Sequence, residues 1–406
     1  MSDSPSPNHF TSADKAIMTP PHGNWNYPTT IWFGCGRNDE LPAACRALGM
    51  QRPLLVTDKG LTKLPMVSQA IAYNQNAGIP TGLFFDVKPN PSSNNISQGV
   101  AHYHKDGHDG IIALGGGSAL DAGKAIALMV GQQRPLWDFE DVGDHWQRAD
   151  SDGIAPIIAL PTTAGTGSEV GRASLIIDEA HHSKKIIFHP KMLPSIVIAD
   201  PQLTVGLPAN ITAATGMDAL SHNLEAYCAP GYHPMADGIA LEGMRLVKEW
   251  LATACETPLN LEARSQMMAA STMGATAFQK GLGAMHALAH PLGAIYDAHH
   301  GLLNAILMPY VLLKNHAAID AKMSQLANAL ALDGNGFDAV FSYIIALRKQ
   351  VGIPNNLQAI GIDEARIDEI AAQALQDPSA GGNPIQFTQP QYAELLHDAI
   401  SGKLDI

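Results

Sequence analysis

Residues Gly281–Tyr310 read GLGAMHALAHPLGAIYDAHHGLLNAILMPY. This stretch sets His286 and His290 four residues apart, then His299 and His300 after a break that contains glycine. The background is almost wholly apolar. Positions four apart share a helix face, so His286 and His290 point the same way into a dry interior. A buried imidazole must find partners, because an unsatisfied polar group costs a few kcal/mol. One histidine here reads as a core residue with a hydrogen bond. Several at this spacing read as metal ligands, neutral imidazole being the commonest protein ligand to metals.

A second such pair stands upstream. In ATGMDALSHNLEAY, Asp218 and His222 are again four apart on a helical pattern. Alone they would be an ordinary Asp–His pair on a helix surface. With the histidines near 290 they supply one carboxylate and several imidazoles on helices able to face each other. An O,N,N,N set of this kind suits one Fe(II) or Zn(II), and not a cysteine-based structural zinc.

The first half of the chain has a different rhythm. TTIWFG (29–34), PLLVTD (53–58), TGLFFDV (81–87) and GIIAL (110–114) are short apolar runs with helical segments between them. APIIAL (155–160) and SIVIAD (195–200) add two more. Alternation of this kind predicts a parallel sheet covered by helices. From about Pro208 onward, Ala-, Leu- and Met-rich stretches with helical spacing take over. The expectation is therefore an α/β dinucleotide-binding domain over residues 25–205 and an all-helical metal-binding domain over 206–406. Residues 1–24, rich in Ser, Pro, Thr and Asn, read as a poorly ordered arm.

GIIALGGGSALDAGK places Gly115, Gly116, Gly117 and Ser118 between a buried strand and a helix. Glycines let the backbone approach a phosphate, and the helix N-terminus offers free N–H groups with partial positive charge. A plain turn would need fewer glycines. The pattern is not the GxGxxG fingerprint, and Asp58 precedes the glycines where the usual ribose-binding acid follows them. Even so, an acid at the carboxyl end of a parallel strand stands where a ribose diol is held. PTTAGTGSE (161–169) is a second Gly/Thr-rich loop after a buried strand, with hydroxyls for a pyrophosphate or nicotinamide or for local turns of its own.

Composition narrows the partners. The 406 residues are 46% hydrophobic and 16% charged, with a formal net charge of -13, which disfavours nucleic acid and anionic membrane surfaces. The four cysteines show no CxxC spacing and read as free thiols of a reducing compartment. With no signal-peptide pattern and no apolar run approaching the ~18 residues of a membrane span, a cytoplasmic protein is expected.

GGGSALDAGK, PTTAGTGSEV, TGMDALSHNLEAY, GAMHALAHPLGAIYDAHHG and the late AGGNP (380–384) together resemble the iron-containing (group III) alcohol dehydrogenases. The likeness runs from about Trp32 to near the end of the chain. It implies that family's fold, shared with dehydroquinate synthase: a Rossmann-like parallel sheet domain, then an all-helical domain, with the reaction in the cleft between. It implies NAD and one Fe(II), or Zn(II), as cofactors, a small alcohol or aldehyde as substrate, and a homodimer or larger homo-oligomer. Carried over by motif, the metal ligands fall on Asp218, His222, His286 and His300, with His299 the open alternative to His300. His290 falls on the non-ligand histidine near the substrate. Cofactor contacts fall on Asp58, Asn90, Gly116, Gly117, Ser118, Thr162, Thr163, Thr166 and Lys184. The segment EAHHSKKIIF (179–188) departs from the family's usual basic run.

The activity so implied is metal-assisted hydride transfer between NAD(H) and a small primary alcohol, with NAD preferred over NADP. Polyol, hydroxyacid and maleylacetate reductase-like enzymes are the alternatives within the fold. A nucleotide-bound assembly protein with a structural metal is the non-enzymatic one. A dehydroquinate-synthase-like lyase would need basic residues near the metal, in which the helical half is poor. Phe278, Leu282, Met285, Leu288 and Tyr296 are expected to form an apolar wall with few fixed charges.

Overall fold

The computed structural model describes residues 29–181 and 183–404, so the expected arm over 1–24 lies outside the described residues. Eight strands are found among them: β1 (Thr30–Phe33), β2 (Leu54–Asp58), β3 (Gly82–Val87), β4 (Ile111–Gly115), β5 (Ile157–Pro161), β6 (Ala173–Asp178), β7 (Ser183–Phe188) and β8 (Ile196–Ala199). Six form one parallel sheet in the order β1-β8-β5-β4-β2-β3. These are the six runs read from the sequence. They are recognisable because a parallel sheet is covered on both faces, so its strands are continuously apolar. Leu54, Leu55, Ile111, Ile112, Leu114 and Ile158 have no exposed surface.

Four helices, α1 (Leu41–Ala47), α2 (Pro65–Asn76), α3 (Ser93–Lys105) and α4 (Gly117–Met129), cover the sheet. One face, with Leu55, Ile112 and Leu160, packs on Leu41 and Ala44 of α1 and on Val67 and Ala70 of α2. The opposite face, with Leu54, Val56 and Ile111, packs on α3 and α4 and is continuous with the apolar core of the helical half. Each such buried aliphatic side chain contributes about 1.5–3 kcal/mol.

The sequence reading did not anticipate the antiparallel pair β6–β7. Ser183–Phe188, the SKKIIF of the segment that departs from the family's basic run, is the second arm of this ribbon, and it touches the helix that carries His286 and His290.

From Ala209 onward the described residues are helices and their connections. The α-helices are α5 (Ala209–Cys228), α6 (Pro234–Glu256), α7 (Leu261–Ala277), α8 (Ala284–Tyr296), α9 (His300–Ala329), α10 (Gly336–Gln350), α11 (Ile367–Gln376) and α12 (Gln389–Ser401). Helix α5 is buried along nearly its whole length, wrapped by α6, α7 and α9. The break between the two histidine pairs falls at Asp297, in the left-handed conformation with φ 52°, while Gly293 stays helical. Helix α9 is long and apolar enough to cross a membrane, which the reading of the sequence had not allowed for. Its apolar window is 67% buried inside the fold, as the core helix of a globular protein would be.

Candidate metal centre and cofactor cleft

Asp218 and His222 sit one turn apart on α5, His286 and His290 one turn apart on α8, and His300 opens α9. The three helices bring one donor atom each from Asp218, His222, His286 and His300 within 4.8 Å of one another. Close approach of α9 to α5 depends on Gly301. A Cβ there would stand 2.6 Å from the Ala214 carbonyl oxygen and 2.9 Å from the Asp218 Cβ. His299 does not join the cluster. It caps α9 by accepting the Leu302 amide at 3.3 Å through Nδ1.

Two of the imidazoles are held from behind. His222 Nδ1 lies 3.2 Å from the Gly165 carbonyl oxygen, and His286 Nδ1 lies 2.7 Å from Glu225 Oε2. Hydrogen-bonding Nδ1 in this way leaves the Nε2 lone pair of each ring for the centre of the cluster. Burial depresses His222 to about 4, against the pull of Asp218. Burial and the surrounding imidazoles take His300 well below its ordinary value. For His286 burial works downward too, but the hydrogen bond and charge of Glu225 outweigh it and hold the ring above the ordinary value. A ring made more basic by a carboxylate is a stronger lone-pair donor.

The sequence reading missed Asn304. One turn beyond His300, its Nδ2 lies 2.9 Å from Asp218 Oδ1, 3.0 Å from His286 Nε2 and 3.2 Å from His300 Nε2. Its Oδ1 and His300 Nδ1 are buried without a partner. Buried acceptors converging on one point, with polar atoms left over beside them, fit a cation at that point. The set contains oxygen and nitrogen donors and no sulfur, which suits a mononuclear Fe(II) or Zn(II) centre.

His290 points elsewhere. Its Nδ1 lies 2.8 Å from Asp377 Oδ2, and its ring stacks on His300 with centroids 5.4 Å apart. Burial pushes the Asp377 carboxyl upward, but its interactions with His290 and its hydrogen bonds to Ser379 hold it below the usual carboxylate range.

Beside the cluster lies a cavity of about 220 Å³. His222, His286, His290 and His300 line one part of it, and Asn90, Gly117, Ser118 and Thr166 another. Gly117 opens α4, and a Cβ there would lie 2.8 Å from Thr166 Oγ1, so glycine keeps the helix N-terminus open beside the second loop. Thr162 donates its amide to the Gly115 carbonyl at 3.0 Å, and Thr163 packs against Gly116. Asp58, far upstream, ends β2 next to β4, where Oδ1 accepts the Gly60 and Leu61 amides at 2.8 and 3.0 Å. Lys184, on β7, donates to Asn90 Oδ1 at 2.8 Å, and Asn90 Nδ2 donates to Asp297 Oδ1 at 2.8 Å. This chain of bonds ties the sheet half to the end of α8. Asp58, Gly116, Thr162, Thr163 and Asp218 are not among the residues that line this cavity.

A glycine-rich loop at the carboxyl end of a parallel sheet, facing an Asp/His cluster on three helices, is one side of a comparison with known proteins. The sequence pattern of the iron-containing alcohol dehydrogenases matches residues 28–201, and that of the family's C-terminal region matches residues 212–400. The chain belongs to the iron-containing alcohol dehydrogenase family. A 4-hydroxybutyrate dehydrogenase of Cupriavidus necator is 37% identical over 384 residues, covering 92% of this chain and 99% of that protein. The crystal structure of a 1,3-propanediol oxidoreductase superposes with a TM-score of 0.88 at 34% identity, covering 93% of this chain and 99% of that one. A sulfoacetaldehyde reductase of Bifidobacterium kashiwanohense, solved with NAD+, gives 0.84 at 30% identity over 94% and 100% of the two chains. Iron-containing alcohol dehydrogenases are NAD(H)-linked oxidoreductases that use a divalent metal, usually iron.

The wall expected around this family's site differs from the reading of the sequence. Phe278 and Leu282 line the cavity, whereas Met285 and Leu288 are core residues at 1% and 0% exposure and Tyr296 packs against the core. Nor is the wall free of charge, since Lys124, Arg172 and Lys184 all face the cavity.

Proposed function

We propose that this protein oxidises short primary alcohols to aldehydes with NAD, or runs the reverse, with Asp218, His222, His286 and His300 holding one divalent ion, Fe(II) in preference to Zn(II). The observation that carries the reading is the convergence of these four donors on one another, with His222, His286 and His300 lining the cavity that Gly117, Ser118 and Thr166 also border. When bound, the metal supplies a Lewis acid for the substrate oxygen and NAD supplies the hydride acceptor. The carbinol carbon gives up a hydride and the hydroxyl gives up a proton, leaving the aldehyde.

The chain's own residues orient the reactants and move the proton. The amides at the start of α4, with Ser118, Thr162, Thr163 and Thr166, cradle the pyrophosphate, while Asn90 and Lys184 reach the nicotinamide side and Asp58 takes the ribose diol. Holding two reactants in line is worth about 7–11 kcal/mol of barrier. His290 takes the hydroxyl proton. It lines both the inner cavity and an outer one of about 400 Å³ bordered by Asp377 and Gln373, so its ring bridges the substrate and the outside. Asp377 fixes its orientation through Nδ1.

The relatives' names supply the substrate class: 4-hydroxybutyrate, 1,3-propanediol and lactaldehyde each carry a small hydroxyl or aldehyde group. A steady-state screen of C2–C6 alcohols, diols and aldehydes with NAD and NADP, on enzyme of known metal content, tests the reading. Turnover that scales with bound metal is expected. Full turnover by metal-free protein, or none with any alcohol or aldehyde, would reject it.

A further inference from the structure

Three cations face the inner cavity, and two of them are committed. Lys124 is buried and donates to the Ser168 and Ala173 carbonyls, with Asp121 Oδ1 3.3 Å away. Lys184 is bonded to Asn90. Arg172 is different. Half-buried on the loop before β6, its guanidinium stacks over the Phe188 ring, 5.5 Å from the centroid. Among the described residues it has no side-chain hydrogen bond and no carboxylate within 4.0 Å. The exposed Asp141 feels its charge only from beyond that range.

Its position is as telling as its lack of a counter-ion. A second cavity of about 190 Å³ adjoins the first and shares with it Gly171, Arg172, Ala173 and Phe278, but none of the histidines. Arg172 therefore stands where the two cavities meet, on the wall of the cavity that the candidate metal ligands His222, His286 and His300 also line. Phe278, Leu282, Leu175 and Ile186 give the same cavity apolar surface. A molecule with its hydroxyl at the histidine cluster would lay a short methylene chain on that wall and bring its far end to the guanidinium. A partly desolvated guanidinium without a counter-ion is matched by a carboxylate, whose two oxygens fit its planar fork.

We propose that Arg172 is the anion anchor of the substrate pocket, and that the preferred substrates are short ω-hydroxycarboxylates and the matching aldehyde acids, ahead of uncharged alcohols of equal length. This rests on the histidine cluster being the place where the hydroxyl is held.

The test compares 4-hydroxybutyrate with 1-butanol on metal-loaded wild-type enzyme and on Arg172→Met and Arg172→Lys. Wild type should favour the acid in kcat/KM by at least about tenfold, the scale of one charge-assisted hydrogen bond. In Arg172→Met that ratio should collapse at least about tenfold, through KM for the acid more than through kcat, as expected when an interaction common to ground and transition states is lost. Arg172→Lys should restore part of it, a point charge replacing the fork. Wild type oxidising both substrates with no preference for the acid would overturn the anchor and leave the functional reading standing. So would a variant whose KM for NAD rises while the substrate ratio holds, because Arg172 would then serve the cofactor. Wild type oxidising neither, nor any other small alcohol, would overturn the functional reading and the anchor with it.

Discussion

Glu225 Oε2 lies 2.7 Å from His286 Nδ1, and the same carboxylate receives the Gly283 and Met285 amides at 2.7 Å each. One side chain on α5 thus anchors the start of α8 and orients a candidate metal ligand on it. It is 5% exposed, so its charge is satisfied wholly by these bonds. A second carboxylate behind a ligating histidine fixes the tautomer and raises the basicity of the ring. Glu225→Gln preserves the shape and removes the charge. Affinity for Fe(II) should fall about 10–100-fold, read by competition with a chelator of known strength. An unchanged affinity would mean that Glu225 serves only the backbone of α8.

The ligand set makes a sharper demand on neighbours. Asp218→Ala, His222→Ala, His286→Ala and His300→Ala should each lose metal and activity together, measured by elemental analysis beside turnover. His299→Ala should keep both, because that ring faces the Leu302 amide as a helix cap and costs about 1 kcal/mol to lose. If His299→Ala strips the metal while His300→Ala retains it, the two neighbours have exchanged roles.

The six buried strands were legible because parallel strands covered on both faces leave long apolar runs. The histidine spacing was legible because a turn of helix places i and i+4 together. What the sequence hid depends on tertiary placement. Asn304 and Glu225 are single polar residues in apolar helices, and nothing in their spacing says that one faces the histidines and the other supports them. Met285 and Leu288 share the helical period of their neighbours, so periodicity could not separate core from cleft. The β6–β7 ribbon was masked by Lys184 and Lys185, two charges in a strand whose outer face is half-exposed. Arg172 follows a glycine-rich loop with no pattern around it, and only the cavity brings out its position.

On the proposed reading, cofactor choice tests Asp58. It ends β2 beside the glycine loop, and its Oδ1 is bound to two amides while Oδ2 faces Gly115. A carboxylate there binds a ribose 2′-hydroxyl and repels a 2′-phosphate. Wild type should prefer NAD in kcat/KM, and Asp58→Ser should narrow the preference by at least about tenfold, the scale of one charge-assisted bond. Equal use of NAD and NADP by both proteins would remove Asp58 from the cofactor site.

His290 should separate chemistry from metal binding. In His290→Ala the metal content should match wild type, while kcat falls by about 10²–10⁴, the range of a lost general acid–base group. The shape of the kcat–pH profile should change with it, because the group that moves the proton is gone. Asp377→Asn should reproduce part of the loss, because the ring keeps its place and loses the charge that orients it. Loss of bound metal from His290→Ala would make this residue a ligand.

Burial of His222 gives the metal-free protein a signed dependence on pH. The ring is depressed from 6.5 to about 4 by desolvation, so it stays neutral in the folded state where the unfolded chain takes up a proton. In that window the unfolded state binds more protons, and stability must fall as pH falls. The contribution is full above pH 6.5, lost progressively on acidification, and exhausted near pH 4. Each unit corresponds to about 1.4 kcal/mol, so from pH 6.5 to 5 the loss at this position is about 2 kcal/mol. His286, held above its ordinary value by Glu225, acts in the opposite sense and masks part of the effect in wild type alone. A difference measurement removes the masking. In urea titrations of metal-free protein, His222→Gln should become more stable relative to wild type by about 2 kcal/mol over that interval. Parallel curves for the two proteins would show that His222 takes up its proton over the same interval in the folded and unfolded states, so that burial does not hold it as the neutral imidazole that a metal ligand must be.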